Sequence, residues 1–465
     1  MPLPVNAAKR LANTGPRSPV HYALIAAMAC AVGGPTWSGA QGLPGNSGTA
    51  SELRRVVHAR QHQGAVASVY VQRNFRPVWF DANRLRPEAF EIIRRLAAAD
   101  EDGLDPKGYM DPAFVAAVSR PVNSAAGRAR LDMALTDAFL RFAVDLHTPA
   151  VSNAPVFLDP ALQKTLPDVD ALAGRLGSTS DLRPVVSDTL RSHPIYEGLR
   201  AALQTVRSDP SYPAGDTLEQ EAALLLNLDR ARTLPGRTSG RHIVVDVAGQ
   251  RLLAFEGGDV RETMKVVVGK ASMPTPVMIG RLSHAIVNPY WNLPPDLARQ
   301  RLSGSRSEAV ANISRHHMEV LSDWSDKSRP LAPDEIPWSA ALNGQVTVRM
   351  RQKPGPDNMM GKVKFMMPNP LGIYLHDTPL RGDFSLEDRA LSAGCIRLED
   401  PARLSAWLFG NDVLATPMLE TRVELAEPMA VYVVYLTVFP EPDGALRNRP
   451  DFYGRDLGSV AKQTA

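Results

Sequence analysis

Two side chains able to do nucleophilic chemistry fall near one another toward the end of the chain. Cys395 lies in the run Leu391-Ser-Ala-Gly-Cys-Ile-Arg397, and His376 ends the run Gly372-Ile-Tyr-Leu-His nineteen residues before it. A thiol attacks a carbonyl when its thiolate is stabilised and an adjacent base can take its proton. His376 is the candidate base, because a strand, a loop and a return can bring the two side chains together. Gly394 lets the backbone approach a substrate carbonyl closely, and amides around Gly394 and Cys395 are candidate oxyanion donors. Ser392 can orient the loop through its hydroxyl, and Arg397 can lower the thiol pKa or hold a substrate carboxylate. Set against this, a single cysteine is often an inert buried hydrophobe and a single histidine a structural one, so composition alone leaves both readings open.

The N-terminus sharpens the question. Residues 1–50 contain no Asp or Glu, carry Lys9, Arg10 and Arg17, and continue into the apolar run Tyr22–Val32 and the small residues Ser38-Gly-Ala40. Basic start, short apolar middle and small-residue site are the order of a secretory signal peptide, expected over residues 1–40, with a flexible linker at 41–50. An uncleaved leader that tethers the protein to the inner membrane is the alternative. Loss of the leader takes the net charge from +3 to 0, because three basic residues leave with it, so nothing in the balance calls for nucleic acid. It also removes Cys30, one of two cysteines, and makes Cys395 the only thiol of an exported chain.

The elements that must position these residues fall into two patterns. Residues 51–236 read as mainly helical: "RPEAFEIIRRLAAADEDG" opens on Pro87 and closes at Gly103, and "RLDMALTDAFLRFAVDLH" carries Leu131, Leu135, Ala138, Phe142 and Leu146 on one stripe. At Arg241 the hydrophobic period changes from 3.6 to 2. "RHIVVDV", "QRLLAFE" and "VRETMKVVVG" read as consecutive antiparallel strands joined by tight turns, and further strands are expected near 282–287, 346–350, 362–367, 372–376 and 431–439. A polar, partly helical insertion at about 296–343, with Trp324 and Trp338, is expected to act as a lid or cleft wall. Asp400 should cap a helix with Pro401 in its first turn and Gly410 at its end. The fold class is therefore α+β: a helical N-terminal domain, then a β-rich, sandwich-like mixed domain over 237–440, and a tail at 441–465.

The segment Gly372–Pro401, "GIYLHDTPLRGDFSLEDRALSAGCIRLEDP", resembles the active-site signature of the L,D-transpeptidases, the YkuD-like cysteine enzymes of bacterial cell-wall synthesis. His376, fifteen intervening residues, Ser392, Gly394, Cys395 and Arg397 match that pattern in order. The likeness extends over Thr263–Val277, Asn288–Pro295, Gly361–Pro370 and Arg449–Asp456, and "YVQRNFRPVWFDANRLRPEAFEIIRRLAAADEDGLDP" is similar to the helical scaffold domain of the large periplasmic members. Ala393 stands where many members carry a second histidine, and Asp181–Arg230 lacks the usual pattern of a peptidoglycan-binding module. The resemblance implies a periplasmic enzyme without cofactor or metal. Cys395 would be the nucleophile and His376 the base, with Ser392, Gly394 and Arg397 supporting the oxyanion and substrate. Its partners would be peptidoglycan stem peptides, a tetrapeptide donor and a diamino-acid acceptor, together with other cell-wall synthesis proteins. The implied reaction is a 3→3 cross-link through a thioester, with release of D-alanine; an L,D-carboxypeptidase, a wall-protein attachment or detachment enzyme, and a silent wall-binding scaffold are the alternatives.

Overall fold

A computed structural model describes residues 45–59, 64–119, 122–150, 155–158, 168–208, 214–236, 240–302, 304–411, 413–441 and 443–456. The expected signal peptide lies outside them. The expected linker at 41–50 is corrected where it is described: residues from Gly45 onward belong to helix α1 (Gly45–Ala59), which the glycine- and serine-rich sequence concealed. The chain divides into two units, one holding the described residues up to Pro155, those from 160 to 239 and those from Tyr435 onward, the other holding Val156–Asp159 and Gly240–Val434.

The first unit is helical. It contains α1, α2 (Ala65–Gln72), α3 (Pro87–Ala97), α4 (Pro112–Val118), α5 (Ala125–His147), α6 (Val169–Ser178), α7 (Arg183–Leu190), α8 (Pro194–Ser208) and α9 (Ala214–Ala231). Pro87 occupies the first turn of α3, and Gly103, in the left-handed region, ends the 3-10 turn that follows it. Buried Asp132 of α5 accepts from Tyr70 Oη at 2.7 Å and from the Val78 and Trp79 amides at 2.9 and 2.8 Å, so both oxygens of this carboxylate are satisfied. Residues beyond 434 are a structural part of this unit, which shifts the expected boundary at 440 and alters the expected tail. Thr437 donates its amide to Asn227 of α9 at 2.8 Å, and Arg230 pairs with Asp456 at 2.7 Å.

The second unit is built on strands β1 (Val156–Phe157), β2 (Arg241–Asp246), β3 (Arg251–Glu256), β4 (Asp259–Gly269), β5 (Met278–Val287), β6 (Trp291–Asn292), β7 (Met318–Leu321), β8 (Arg349–Gln352), β9 (Val363–Met366), β10 (Leu375–His376), β11 (Ala390–Ser392), β12 (Ile396–Leu398) and β13 (Thr421–Val434). The three expected strands from Arg241 form the antiparallel meander β2-β3-β4. The main sheet runs β9-β10-β12-β4-β3-β2-β13-β5-β1, and a further pairing of β9 with β5 closes eight of these strands on themselves. The β10–β12 and β2–β13 pairs are parallel and the other pairs in the ring antiparallel, which makes the sheet mixed. Helix α13 (Pro401–Phe409) follows β12; Asp400 accepts from the Arg403 amide, and Gly410 takes the left-handed C-cap.

The insertion is larger than 296–343 and has a core of its own. Helices α10 (Pro295–Arg301), α11 (Arg306–Arg315) and α12 (Trp338–Leu342) pack on the small sheet β6-β8-β7 around Leu293, Ala298, Met318, Val320, Trp338 and Met350. Trp338 is 7% exposed, with its indole N–H given to Pro333 O at 2.6 Å, so it holds the insertion together instead of lining a cleft. Trp324 is 58% exposed.

Candidate active site

Register places the reactive side chains. Residues in register on adjacent strands project from the same face of a sheet, and successive residues from opposite faces. Ala285, Phe365, Leu375 and Ile396 are paired across β5, β9, β10 and β12, and all are fully buried in the core of the ring. One residue along, the other face carries Ile286, Lys364, His376, Arg397 and Val267 in a row. The Ile396 amide bonds Tyr374 O at 2.9 Å, which continues the parallel ladder and sets Cys395 on the same face as Arg397. Cys395 and His376 are thus diagonal neighbours on adjacent strands, a spacing of about 7–8 Å between backbones that two side chains can bridge.

His376 is 2% exposed, and its Nδ1 lies 2.5 Å from Asp377 O. A carbonyl only accepts, so Nδ1 carries the proton and Nε2 keeps its lone pair. Burial lowers the imidazole to about 4, with Arg397 and Lys364 pulling the same way and the Asp377 carbonyl opposing. The ring is neutral at physiological pH. The Cys395 thiol is partly exposed on one side. Desolvation by the surrounding protein pushes its pKa up, against the Tyr374 amide and the Arg397 guanidinium. Arg397 acts in the expected direction but is outweighed. At rest the thiol and the imidazole are both neutral, and in this rotamer Sγ points to Gly372 O at 3.5 Å rather than to His376.

Ser392, Gly394 and Arg397 are all at this site, with more specific tasks than expected. The buried Ser392 hydroxyl donates to Cys395 O at 2.6 Å and accepts the Gly394 amide at 3.1 Å. The Gly394 N–H is therefore occupied within the loop. Among the described residues the Cys395 N–H has no such acceptor, which narrows the candidate oxyanion donors to that amide. Gly394 has φ +107°, a conformation that favours glycine, and a β-carbon there would press on Ile373 at 3.1 Å. Arg397 is held by Asp383 at 3.0 Å.

Residues 240–423 match the family model described as the L,D-transpeptidase catalytic domain, YkuD, and residues 64–203 match the scaffold domain. The chain carries a YkuD L,D-transpeptidase catalytic domain and a scaffold domain. A Haemophilus influenzae protein named "Putative L,D-transpeptidase" is 28% identical over 414 residues, covering 86% of this chain and 79% of its own. A solved L,D-transpeptidase from Mycobacterium smegmatis aligns over 42% of this chain and 59% of its own, at 15% identity and a TM-score of 0.21, too slight a likeness to carry a structural argument.

Within the YkuD domain several residues that sequence reasoning passed over hold the pair in place. The buried Asp377 carboxylate accepts the Thr378 and Lys362 amides, each at 2.7 Å, and pairs with Arg381, fixing the peptide whose carbonyl orients His376. Gly361 has φ +59° and lies against that carboxylate, where any β-carbon would overlap it. Asn369 bonds Ile373 O at 2.8 Å and accepts the Ile373 amide at 3.1 Å, shaping the turn that offers Gly372 O to the thiol. Thr275 Oγ1 donates to Gly394 O at 2.8 Å, and the nearly buried Arg389 binds the carbonyls of Val266, Leu386 and Gln250 at 3.2, 2.8 and 3.0 Å. The strings "HDTP" and "PNP" were the only sequence signals for two of these residues, Asp377 and Asn369; the register that makes them matter is a tertiary fact.

Proposed function

We propose that the protein is a peptidoglycan L,D-transpeptidase that forms 3→3 cross-links through a thioester on Cys395. The observation that carries this reading is the placement, inside a YkuD domain, of Cys395 beside a buried histidine whose Nδ1 is tied to Asp377 O and whose Nε2 is free to accept a proton. In the proposed step the thiol turns from Gly372 O toward His376, its diagonal neighbour on the adjacent strand. Nε2 takes its proton as sulfur attacks the carbonyl of residue three of a tetrapeptide stem, and the Cys395 amide faces the oxyanion. The intermediate collapses with the bond to terminal D-alanine breaking, and the imidazolium returns its proton to the departing amine. The side-chain amine of a second stem then attacks the thioester, loses a proton to His376 and leaves the thiol restored. An exported location follows from the reading of residues 1–40 as a leader, and wall peptides are the partners.

Muropeptide analysis after incubation with purified disaccharide tetrapeptide tests the reaction. Dimers linked 3→3 with stoichiometric D-alanine support it. Tripeptide without dimers would assign an L,D-carboxypeptidase, and unchanged substrate would remove the enzymatic reading.

A further inference from the structure

The row that carries His376 also carries a cation that the mechanism above does not use. Lys364 is the in-register partner of His376 on β9, so its side chain leaves the same face of the sheet. It lies opposite Arg397 across His376. The two cations differ in their partners. Arg397 is paired with Asp383, whereas the Lys364 ammonium makes no hydrogen bond or ion pair among the described residues. Its stem is half-buried, and desolvation holds its pKa below the ordinary lysine value, with Glu420 opposing and His376 and His284 feeling its charge. A partly desolvated cation that feels Glu420 only at a distance and makes no direct ion pair among the described residues, on the same face as His376, is arranged to receive an anion from outside the protein.

Distance restricts which anion. Strands about 4.8 Å apart and a two-residue offset along them separate the Cα positions of Lys364 and Cys395 by about 12 Å. A lysine stem, the cysteine side chain and one residue of extended peptide, about 3.5 Å long, together span that gap. We infer that Lys364 binds a carboxylate of the donor peptide lying within one residue of the bond that Cys395 attacks. Resting on the transpeptidase reading, this makes Lys364 a specificity-determining residue for an acidic donor. The carboxylate belongs either to terminal residue four or to the side chain of a diamino acid at residue three.

Binding separates this inference from the reaction itself. Tetrapeptide donor is titrated into the full chain carrying Cys395→Ala, with and without Lys364→Met or Lys364→Arg. Three donors are compared: the free acid, its C-terminal amide, and a peptide with the residue-three side-chain carboxylate amidated. One amidated donor should bind roughly tenfold or more weakly than the free acid, as expected for loss of a charge-assisted hydrogen bond, and that donor identifies the carboxylate. Lys364→Met should abolish the difference, and Lys364→Arg should keep most of it. Equal binding of all three donors, or a preference that survives Lys364→Met, overturns the inference. D-alanine release by the wild-type protein is read separately, so failure of the transpeptidase reading and failure of the Lys364 assignment give different results.

Discussion

The Nδ1 of His376 lies 2.5 Å from the carbonyl oxygen of Asp377, the very next residue, and this contact decides which ring nitrogen can act as a base. A neutral imidazole whose Nδ1 donates to a carbonyl can accept only at Nε2. Replacing His376 by Gln or Ala should slow acylation of Cys395 by about 10²- to 10⁴-fold, the usual contribution of a general base. Rapid-quench mass measurement of acyl-enzyme checks it; a variant that acylates at the wild-type rate removes His376 from the base role.

Asp377 reaches the site through its backbone, so its carboxylate should matter by placement. Gly361→Ala puts a β-carbon into that carboxylate and also requires alanine at φ +59°. It should cost on the order of 1–3 kcal/mol of stability and slow acylation, because the loop carrying the Asp377 carbonyl must shift. Urea unfolding and single-turnover acylation, measured on the same preparation, check both effects.

Ser392 closes the loop before Cys395 with two hydrogen bonds at one buried hydroxyl. Ser392→Ala leaves the Gly394 amide and the Cys395 carbonyl unsatisfied, and should destabilise the protein by about 1–3 kcal/mol. Thermal unfolding of the variant measures this. Stability within experimental error of the wild type would mean that water replaces the hydroxyl without loss.

Burial holds His376 at about 4 and raises the Cys395 thiol. Acylation should therefore stay nearly level from pH 7 to pH 5 and fall as pH approaches 4, where Nε2 becomes protonated. An ordinary histidine would give a loss near pH 6.5. The same shift acts on stability. Between about pH 6.5 and pH 4 the unfolded chain binds a proton at this position that the folded chain refuses, so stability declines as pH falls through that window and levels off below it. His242, also held at about 4 by burial, adds to that slope, and His376→Gln should remove only its own part.

Local pattern carried much of the fold. Period-two alternation from Arg241 to Gly269 marked the β2-β3-β4 meander, and Asp400, Pro401 and Gly410 marked both ends of α13, because caps and short-range alternation are written in neighbouring residues. Closure of the ring by β5 on β9, the pairing of Val156 with Met278 and the docking of Thr437 on Asn227 were not legible, since each joins distant segments. At the site, the types and spacing of His376, Ser392, Gly394, Cys395 and Arg397 were legible in the chain. The commitment of the Gly394 amide to Ser392, the screening of Arg397 by Asp383 and the core position of Trp338 were not, because a residue type does not state its partner.

The intact mass of the folded protein after incubation with a carbapenem tests the central claim most directly, because the drug offers Cys395 a reactive carbonyl and the incubation contains no acceptor amine to resolve the adduct. The prediction is one stable adduct on the wild-type protein, absent from Cys395→Ala and formed far more slowly by His376→Gln. No adduct on folded wild type, or an adduct that persists in Cys395→Ala, would contradict Cys395 as the nucleophile.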